Sequence, residues 1–349
     1  AQAVGVAQLA AACGSGVIDL SARANIQLRG IREAAHPALV AGLSALGLAD
    51  ESAEAEARRN IAVTPLWAEA DGTARLAVDL EAGLAASGLP LPGKFGFALD
   101  TGPAPVLRAT SADIRIERAG PGYLVHADAA TTGAMADAGS AIACALDLAR
   151  WFLASGGAPQ GRGRMARHIR GGAILPPAFR TARVPEATVF TATPGLLPQG
   201  ALLALAFGQT DAGTLAALAS LGPLRLTPWR MVLVEGLRIL PALPGLITDA
   251  ADPLLRVVAC TGAPDCPQAL APTRPLARRL APLVPPGQIL HVSGCAKGCA
   301  HSAAALTLTA TPAGFAFIRH GTAADTPAAI LTESALPLAL ESPAHAAPL

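Results

Sequence analysis

Two stretches of the chain alternate between apolar and polar residues on either side of a glycine-containing turn, namely IRIERAGPGYLVHA (114–127) and LTLTATPAGFAFIRH (306–320). Alternation with a period of two residues is typical of half-buried strands, so each stretch predicts a β-hairpin. Residues 132–156 instead carry apolar residues at helical spacing and end at a pair of glycines, which predicts a capped helix. Helices mixed with antiparallel strands indicate the α+β class.

Blocks of the first half return in the same order in the second half. Residues 8–31 match 214–237, 58–66 match 256–264, 93–100 match 287–294, and 112–127 match 304–320. Four collinear matches predict an internal duplication. The second half also has an apolar strand, GALLALAFG, ahead of its helix. Nothing matches that strand at the N-terminus, so we expect a further strand ahead of residue 1.

Composition excludes several classes of protein. Apolar residues make up 52% of the 349 residues and charged residues 15%, which indicates folded domains with a sizeable core. The most apolar helical stretch is interrupted by Asp147 and Arg150, so no membrane span is expected and we place the protein in the cytoplasm. A net charge of +1 and 3% aromatic residues argue against a nucleic-acid partner.

Four of the six cysteines form one pattern. Cys260 and Cys266 lie in ACTGAPDCPQ, and Cys295 and Cys299 lie in HVSGCAKGCAHS, whereas Cys13 and Cys144 are expected to be buried core residues. Four thiolates among glycines suit a 4Fe-4S cluster, because small neighbours leave room for the sulfides and their backbone N–H donors. Zinc and disulfides stay open, although zinc usually pairs thiols at closer spacing and disulfides need an oxidising compartment.

The cysteine pattern, together with SARANIQLRG, the RRN of residues 58–60 and LPGKF, resembles the nitrite/sulfite reductase superfamily over nearly the whole chain. The resemblance implies an internally duplicated fold with two ferredoxin-like half-domains and two α/β tetrapyrrole-binding modules around a pseudo-twofold axis. It implies that Cys260, Cys266, Cys295 and Cys299 ligate the cluster. In members that hold siroheme, the position of Cys299 bridges the cluster to the siroheme iron.

The same resemblance implies a set of basic residues that bind the carboxylates of the macrocycle. They are Arg23, Arg59 and Lys94, with Arg29 and Arg230 as weaker candidates. Arginine suits this role because its guanidinium can hold a carboxylate through two hydrogen bonds. Each could instead be an ordinary surface charge, and Arg230, interpreted as the counterpart of Arg23, could be a structural ion-pair partner.

Within the superfamily the chain, with HVSGCAKGCAHS, ACTGAPDCPQA and TPWR, is most similar to the precorrin-3B synthases. Gly96 stands where sulfite reductases have a second lysine and nitrite reductases an amide, which argues against a reductase. The similarity to the synthases implies an O2-dependent monooxygenase of aerobic cobalamin biosynthesis that acts on the tetrapyrrole precorrin-3A and closes a γ-lactone.

The same similarity implies an electron donor, which is NADH or a reductase or ferredoxin, and a mononuclear iron, although no two-histidine, one-carboxylate spacing in the sequence names the ligands of that iron. His291 and His301 are candidates because they lie close to Cys299 in sequence, and each could instead be an ordinary loop histidine. The alternatives are a siroheme-dependent nitrite or sulfite reductase and a non-catalytic iron–sulfur electron carrier or redox sensor.

These inferences predict a division of the chain into five parts. They are a first ferredoxin-like half-domain at 1–48, a first module at 49–158, a linker at 159–185, a second half-domain at 186–248 and a second module with the cluster cysteines at 249–349. The arginines of the linker, Arg162, Arg164, Arg167 and Arg170, are expected to form a solvated basic loop.

Overall fold

The computed structural model describes residues 1–50, 52, 60–186 and 190–341. The helices in these ranges are α1 (Gln2–Cys13), α2 (His36–Ala45), α3 (Thr73–Ser87), α4 (Ala141–Ala154), α5 (Met165–Arg170), α6 (Ala212–Leu221), α7 (Thr273–Leu280) and α8 (Leu336–Glu341). In the same ranges, no helix combines the length and the apolar character needed to cross a membrane.

The strands of the described residues are short. They are β1 (Val17–Leu20), β2 (Ile26–Leu28), β3 (Ile61–Val63), β4 (Phe97–Asp100), β5 (Ile114–Ala119), β6 (Gly122–Ala127), β7 (Thr132–Ala136), β8 (Ala182–Arg183), β9 (Gly195–Leu197), β10 (Gly200–Leu205), β11 (Gln209–Asp211), β12 (Leu224–Leu226), β13 (Met231–Glu235), β14 (Leu246–Ile247), β15 (Val257–Ala259), β16 (Leu290–Ser293), β17 (Ala305–Thr311), β18 (Gly314–Gly321) and β19 (Ala329–Leu331). The chain divides into two compact units, one of residues 1–203 with 210–241 and one of residues 204–209 with the chain from 242 onward.

The large sheet of the first unit has the strand order β3-β4-β5-β6-β7-β8. Strands β3, β4 and β5 are parallel, and β5 to β8 continue as an antiparallel meander. Helix α3 connects β3 to β4 and buries Leu80 and Leu84 against the sheet, where they join Phe97 and residues such as Leu148 and Phe152 of α4. Burying these large side chains is the main source of this module's stability.

The sheet of the second unit has the order β15-β16-β17-β18-β19. It repeats the arrangement of the first sheet, with three parallel strands followed by two antiparallel pairings. Helix α7 connects β15 to β16, as α3 connects β3 to β4. The hairpins β5–β6 and β17–β18 fall where the alternating patterns predict them, so the duplication is confirmed for the three later blocks.

The first pair of matching blocks, 8–31 and 214–237, also has the same structure in both halves. In the first half α1 is followed by the antiparallel pair β1–β2, and in the second half α6 is followed by the antiparallel pair β12–β13. Val6 and Ala10 of α1 pack with Ile18 and with Leu215 of α6 in one apolar cluster. The two ferredoxin-like halves therefore share a core, as a pair of duplicated half-domains should.

The helix predicted at 132–156 is wrong in its first part. Residues Thr132–Ala136 form β7, and the helix begins only at Ala141. Gly133 faces the β6 backbone so closely that an added Cβ would lie 2.6 Å from the carbonyl oxygen of Val125. Asp137 then stops the strand, because its Oδ1 accepts the Ser140 amide hydrogen at 2.8 Å in a tight turn before α4. Strand pairing at Gly133 outweighs the helical spacing of a few alanines and one methionine.

The segment 159–185, predicted as a linker with solvated arginines, packs on the first sheet. Strand β8 pairs with β7, and Met165 at the start of α5 is fully buried. The buried carboxylate of Asp113 accepts hydrogen bonds from the Met165 amide at 2.7 Å and from Arg164 Nε at 2.9 Å. A buried carboxylate needs such partners, so Arg164 is a structural ion-pair residue and the prediction of a solvated loop is wrong for it.

Candidate functional site

A cavity of about 840 Å³ lies in the first unit beside the turn between β1 and β2. Three of its lining residues, Arg23, Asn60 and Gly93, belong to the three sequence blocks that carry the predicted basic residues. Asn60 immediately precedes β3, and Gly93 lies in the turn ahead of β4. Because β3 and β4 are parallel neighbours in register, the segments that enter them meet at one edge of the sheet.

Arg23 is held in this cavity by the geometry of its turn. Ser21 Oγ accepts hydrogen bonds from the Arg23 amide at 3.3 Å and the Asn25 amide at 3.1 Å, and Ala24 has a left-handed φ of +59°. The side chain of Arg23 is half-buried and forms no hydrogen bond or ion pair with the described residues. A partly buried guanidinium whose N–H donors have no partner among the described residues is suited to binding an anion.

The other basic residues predicted for this site fall in different surroundings. Lys94 is exposed in the turn before β4, next to the cavity residue Gly93, so its flexible stem starts at the rim. Arg59 lies outside the described residues, although its neighbour Asn60 lines the cavity. Arg29 donates to Asp19 Oδ2 at 2.7 Å and to Gln27 Oε1 at 2.7 Å, contacts that favour a structural role.

Arg230 is not the counterpart of Arg23, and that prediction is wrong by one residue. The hydrogen bond from Ser21 N to Asn25 O at 2.9 Å is repeated by Thr227 N to Met231 O at 3.2 Å. Arg230 has a φ of +61° and therefore matches Ala24, whose φ is +59°. The residue that matches Arg23 is Trp229, which packs against an apolar cluster and stacks with Phe190 at 5.0 Å between ring centroids.

The cysteines of the second unit lie in two loops at one edge of its sheet. Cys260 directly follows β15, and Cys295 follows β16 by two residues. These strands are parallel, so both loops leave the carboxyl edge together. A hydrogen bond from Leu270 N to Gly294 O at 2.8 Å joins the loops, and Gly294 N donates to Cys260 Sγ at 3.2 Å.

Glycine is required at one close approach between the two loops and at one within the first loop. A Cβ added at Gly294 would lie 2.6 Å from the Cβ of Ala269, and one added at Gly262 would lie 2.5 Å from Thr273 Oγ1. Thr273 is fully buried and its hydroxyl donates to the Cys260 carbonyl oxygen at 2.7 Å. An amide hydrogen directed at a thiolate and small residues around it are features that fit an iron–sulfur cluster.

The four predicted ligands differ in exposure, and their convergence stays a prediction. All six cysteines are free thiols; Cys299 is exposed, whereas Cys260, Cys266 and Cys295 are half-buried. Among the described residues no three histidine, cysteine or acidic side chains are grouped closely enough to hold a metal ion. Cys13 is buried, as predicted. Cys144 is only half-buried, so the prediction of a buried core residue is wrong for it, although it packs against the core and burial raises the pKa of its thiol to about 11.

His291 and His301, the candidate ligands of a mononuclear iron, lie near the second cysteine loop. Their ring centroids are 5.7 Å apart, and His291 is fully buried within β16. The His301 amide donates to Gly298 O at 3.3 Å, which places the histidine on the same loop as Cys299. Their role as ligands stays a prediction.

Sequence reasoning missed a buried charge network in the first module. Arg108 donates to both carboxylate oxygens of Glu117, at 2.9 Å and 2.6 Å, and His126 Nε2 lies 3.5 Å from the same carboxylate. Burial raises the pKa of Glu117, but the contacts with His126 and Arg108 outweigh it and lower the pKa to about 2. Burial also raises the pKa of Asp100 to about 6. Glu117 stands at a polar position of the alternating strand β5, on the face opposite Ile114 and Ile116, so the pattern predicts an exposed residue and does not reveal its burial.

Arg225 was also missed. It forms an ion pair with Glu235, stacks on the Trp67 ring at 3.7 Å from the centroid, and donates to the carbonyl oxygens of Pro65 at 2.9 Å and Trp67 at 2.6 Å. Pro65 and Trp67 belong to the loop that follows β3. Arg225 therefore fixes that loop against the second half-domain.

The fold is similar to that of known proteins. Residues 1–46 match the nitrite/sulfite reductase ferredoxin-like half domain. The structure of the Mycobacterium tuberculosis NirA protein superposes with a TM-score of 0.69, covering 97% of this chain and 77% of that one at 16% sequence identity. The chain thus has the nitrite/sulfite reductase-like fold, and the predicted fold class is confirmed.

The sequence is also similar to that of a named relative. It is 32% identical, over 97% of this chain and 80% of the relative, to a protein from Sinorhizobium sp named precorrin-3B synthase. Similarity at this level over nearly the whole length shows that the chain belongs to the precorrin-3B synthase family.

Proposed function

We propose that the protein is a precorrin-3B synthase: a monooxygenase of aerobic cobalamin biosynthesis that hydroxylates precorrin-3A and closes a γ-lactone on it. The relative named precorrin-3B synthase supports this reaction, because it matches 97% of the chain at 32% identity. One atom of O2 enters the macrocycle and the other leaves as water, so each turnover takes two electrons and two protons. An external donor, either NADH or a reductase or ferredoxin, supplies them.

The observation that carries the proposal is the position of Arg23 in the cavity of the first unit. The macrocycle is rimmed with carboxylates, and the half-buried guanidinium makes no ion pair with described residues that would compete for them. Lys94 begins at the rim and would add a second cation. Arg59, one residue before the cavity residue Asn60, would add a third. Arg29 forms an ion pair with Asp19 across the hairpin and therefore has a structural role in this proposal.

A 4Fe-4S cluster would be held by Cys260, Cys266, Cys295 and Cys299, and it would pass electrons singly to the reaction. The chain's own contribution is to fix Cys260: Gly294 N donates to its sulfur and Thr273 to its carbonyl oxygen. Hydrogen bonds to a ligand sulfur stabilise the reduced cluster, because they offset its added negative charge. Thiols that must stay reduced suit the cytoplasm, which is where we place the enzyme.

A visible spectrum and a turnover assay test the proposal against a siroheme-dependent reductase. Protein purified without oxygen should show the broad absorbance of an iron–sulfur cluster without the sharp bands of an isobacteriochlorin. With a reduced viologen dye as donor it should turn over neither nitrite nor sulfite. Tightly bound siroheme with rapid turnover of either anion would contradict the proposal.

A further inference from the structure

In both modules, the helix that connects the first two parallel strands begins with a threonine. Thr73 is the first residue of α3, and Thr273 is the first residue of α7. Both residues are fully buried. Because a buried hydroxyl needs a hydrogen-bond partner, the partner of each threonine shows which part of the structure it holds.

The loops that precede these threonines correspond between the two modules. Thr64 directly follows β3, and its amide donates to the carbonyl oxygen of Leu99 in β4 at 2.8 Å. Cys260 directly follows β15, and its amide donates to the carbonyl oxygen of Val292 in β16 at 3.3 Å. Both acceptors are the third residue of their strand, so Cys260 stands where the first module has Thr64.

The hydroxyl groups of the two helix-starting threonines have different partners. In the first module, Thr73 Oγ1 and Thr101 Oγ1 lie 2.5 Å apart and share a hydrogen bond. Thr101 directly follows β4, whereas the residue directly after β16 is Gly294, which has no hydroxyl group to offer. Thr273 Oγ1 donates instead to the carbonyl oxygen of Cys260 at 2.7 Å. The hydrogen bond to the residue after the first strand therefore belongs to the module that carries the cysteines.

Cys260 is held both by its main chain and by its side chain. Its carbonyl oxygen accepts from Thr273, and its Sγ accepts from Gly294 N at 3.2 Å. The sulfur also lies 3.8 Å from Thr273 Oγ1. These contacts limit the directions that the Cys260 sulfur can take, and the main-chain part of the restraint depends on the Thr273 hydroxyl.

We propose that Thr273 is a positioning residue that fixes Cys260 for ligation of the iron–sulfur cluster. Groups that hold a metal ligand in its binding orientation strengthen metal binding, because the ligand does not have to be ordered when the metal binds. This inference rests on the proposed function, since it concerns the cluster that Cys260 would ligate. It adds a residue outside the four cysteines whose hydroxyl group controls how firmly the iron is held.

The rate at which an iron chelator removes the cluster tests this inference. The proteins compared are wild type, Thr273→Val, Thr273→Ser and Thr73→Val, each reconstituted without oxygen. Valine keeps the shape of threonine without its hydroxyl group, so Thr273→Val should lose the cluster absorbance about fivefold faster than wild type, the scale of one neutral hydrogen bond. Thr273→Ser restores the hydroxyl group and should behave as wild type. Thr73→Val is the matched control in the module without these cysteines, and it should also keep the wild-type rate.

Electron paramagnetic resonance of the reduced cluster gives a second measurement that a general loss of stability would not change. The spectrum of Thr273→Val should differ from that of wild type, whereas the spectra of Thr273→Ser and Thr73→Val should not. A wild-type rate and spectrum in Thr273→Val would overturn the role of Thr273. Equal acceleration in Thr73→Val would also overturn it, because the effect would then be one of overall stability.

The outcomes separate this inference from the proposed function. Failure of the wild-type protein to take up iron and sulfide would count against the proposed cluster itself, and with it the role of Thr273. Normal uptake with no effect of Thr273→Val would remove only the role of Thr273. Circular dichroism checks that each variant is folded. If Thr273→Val is not, the comparison of Thr273→Ser with Thr273→Ala decides the question, because these two variants differ in the hydroxyl group alone.

Discussion

Asp19 and Arg29 form an ion pair at 2.7 Å across the first hairpin, and the second hairpin carries the same pair with its charges exchanged. There Arg225 and Glu235 stand at the matching positions. In both hairpins the second residue of the pair has its amide bonded across the strands, from Arg29 N to Val17 O and from Glu235 N to Pro223 O. The duplication has thus kept the ion pair while reversing its polarity, which identifies Arg29 as a residue of the scaffold.

Removal of the two arginines should have unequal effects. Arg29→Ala should lower the free energy of unfolding by at most about 1 kcal/mol, because this ion pair is partly exposed to solvent. Arg225→Ala should cost about 2 to 3 kcal/mol, since it removes the stacking on Trp67 and leaves two carbonyl oxygens without their donor. Urea unfolding of both variants measures the difference. Equal losses would show that the contacts of Arg225 with the loop after β3 contribute little.

The buried Glu117 should make the first module sensitive to acid. Its pKa in the folded protein, about 2, lies below the ordinary value of 4.5. The stability that its ionised form contributes is therefore fully present above pH 4.5 and is lost as the pH falls through 2. The stability difference between wild type and Glu117→Gln should shrink by about 2 to 3 kcal/mol over that window. Chemical unfolding at several pH values measures it, and a difference that does not change with pH would contradict the buried network.

The two kinds of cysteine should respond differently to substitution. Cys299→Ser should lose the iron–sulfur absorbance of anaerobically reconstituted protein, since it removes one of the four proposed ligands. Cys144→Ser is the control, because burial raises the pKa of Cys144 to about 11 and keeps its thiol protonated. Iron and sulfide analysis of both variants gives the result. A full cluster in Cys299→Ser would exclude Cys299 as an essential ligand.

The repeated order of strands and helices could be predicted from the sequence, because each block carries its own local signal. Alternation marks the hairpin β5–β6, and an apolar run marks β16. The position of β7 could not be predicted from the sequence. It depends on the close approach of Gly133 to the neighbouring strand β6, which is a tertiary contact.

The site residues could be predicted to the same extent: those in local motifs were evident, and contacts between residues distant in sequence were not. The motifs indicated Arg23 and the four cysteines, because these residues follow recognisable strands. The close contact between Asn60 and Gly96 was not evident, because it joins residues 36 positions apart in the chain. Arg230 was misassigned because the left-handed residue of the turn, and not the arginine, is what the two hairpins share.

The central claim is that the chain inserts one oxygen atom from O2 into a tetrapyrrole. The most direct measurement is mass spectrometry of precorrin-3A incubated with the cluster-loaded protein, a reduced electron donor and isotopically labelled O2. The account predicts a product that carries one labelled oxygen atom and a γ-lactone, and no product when O2 is withheld. Unchanged precorrin-3A under these conditions, or a product whose new oxygen comes from water, would contradict it.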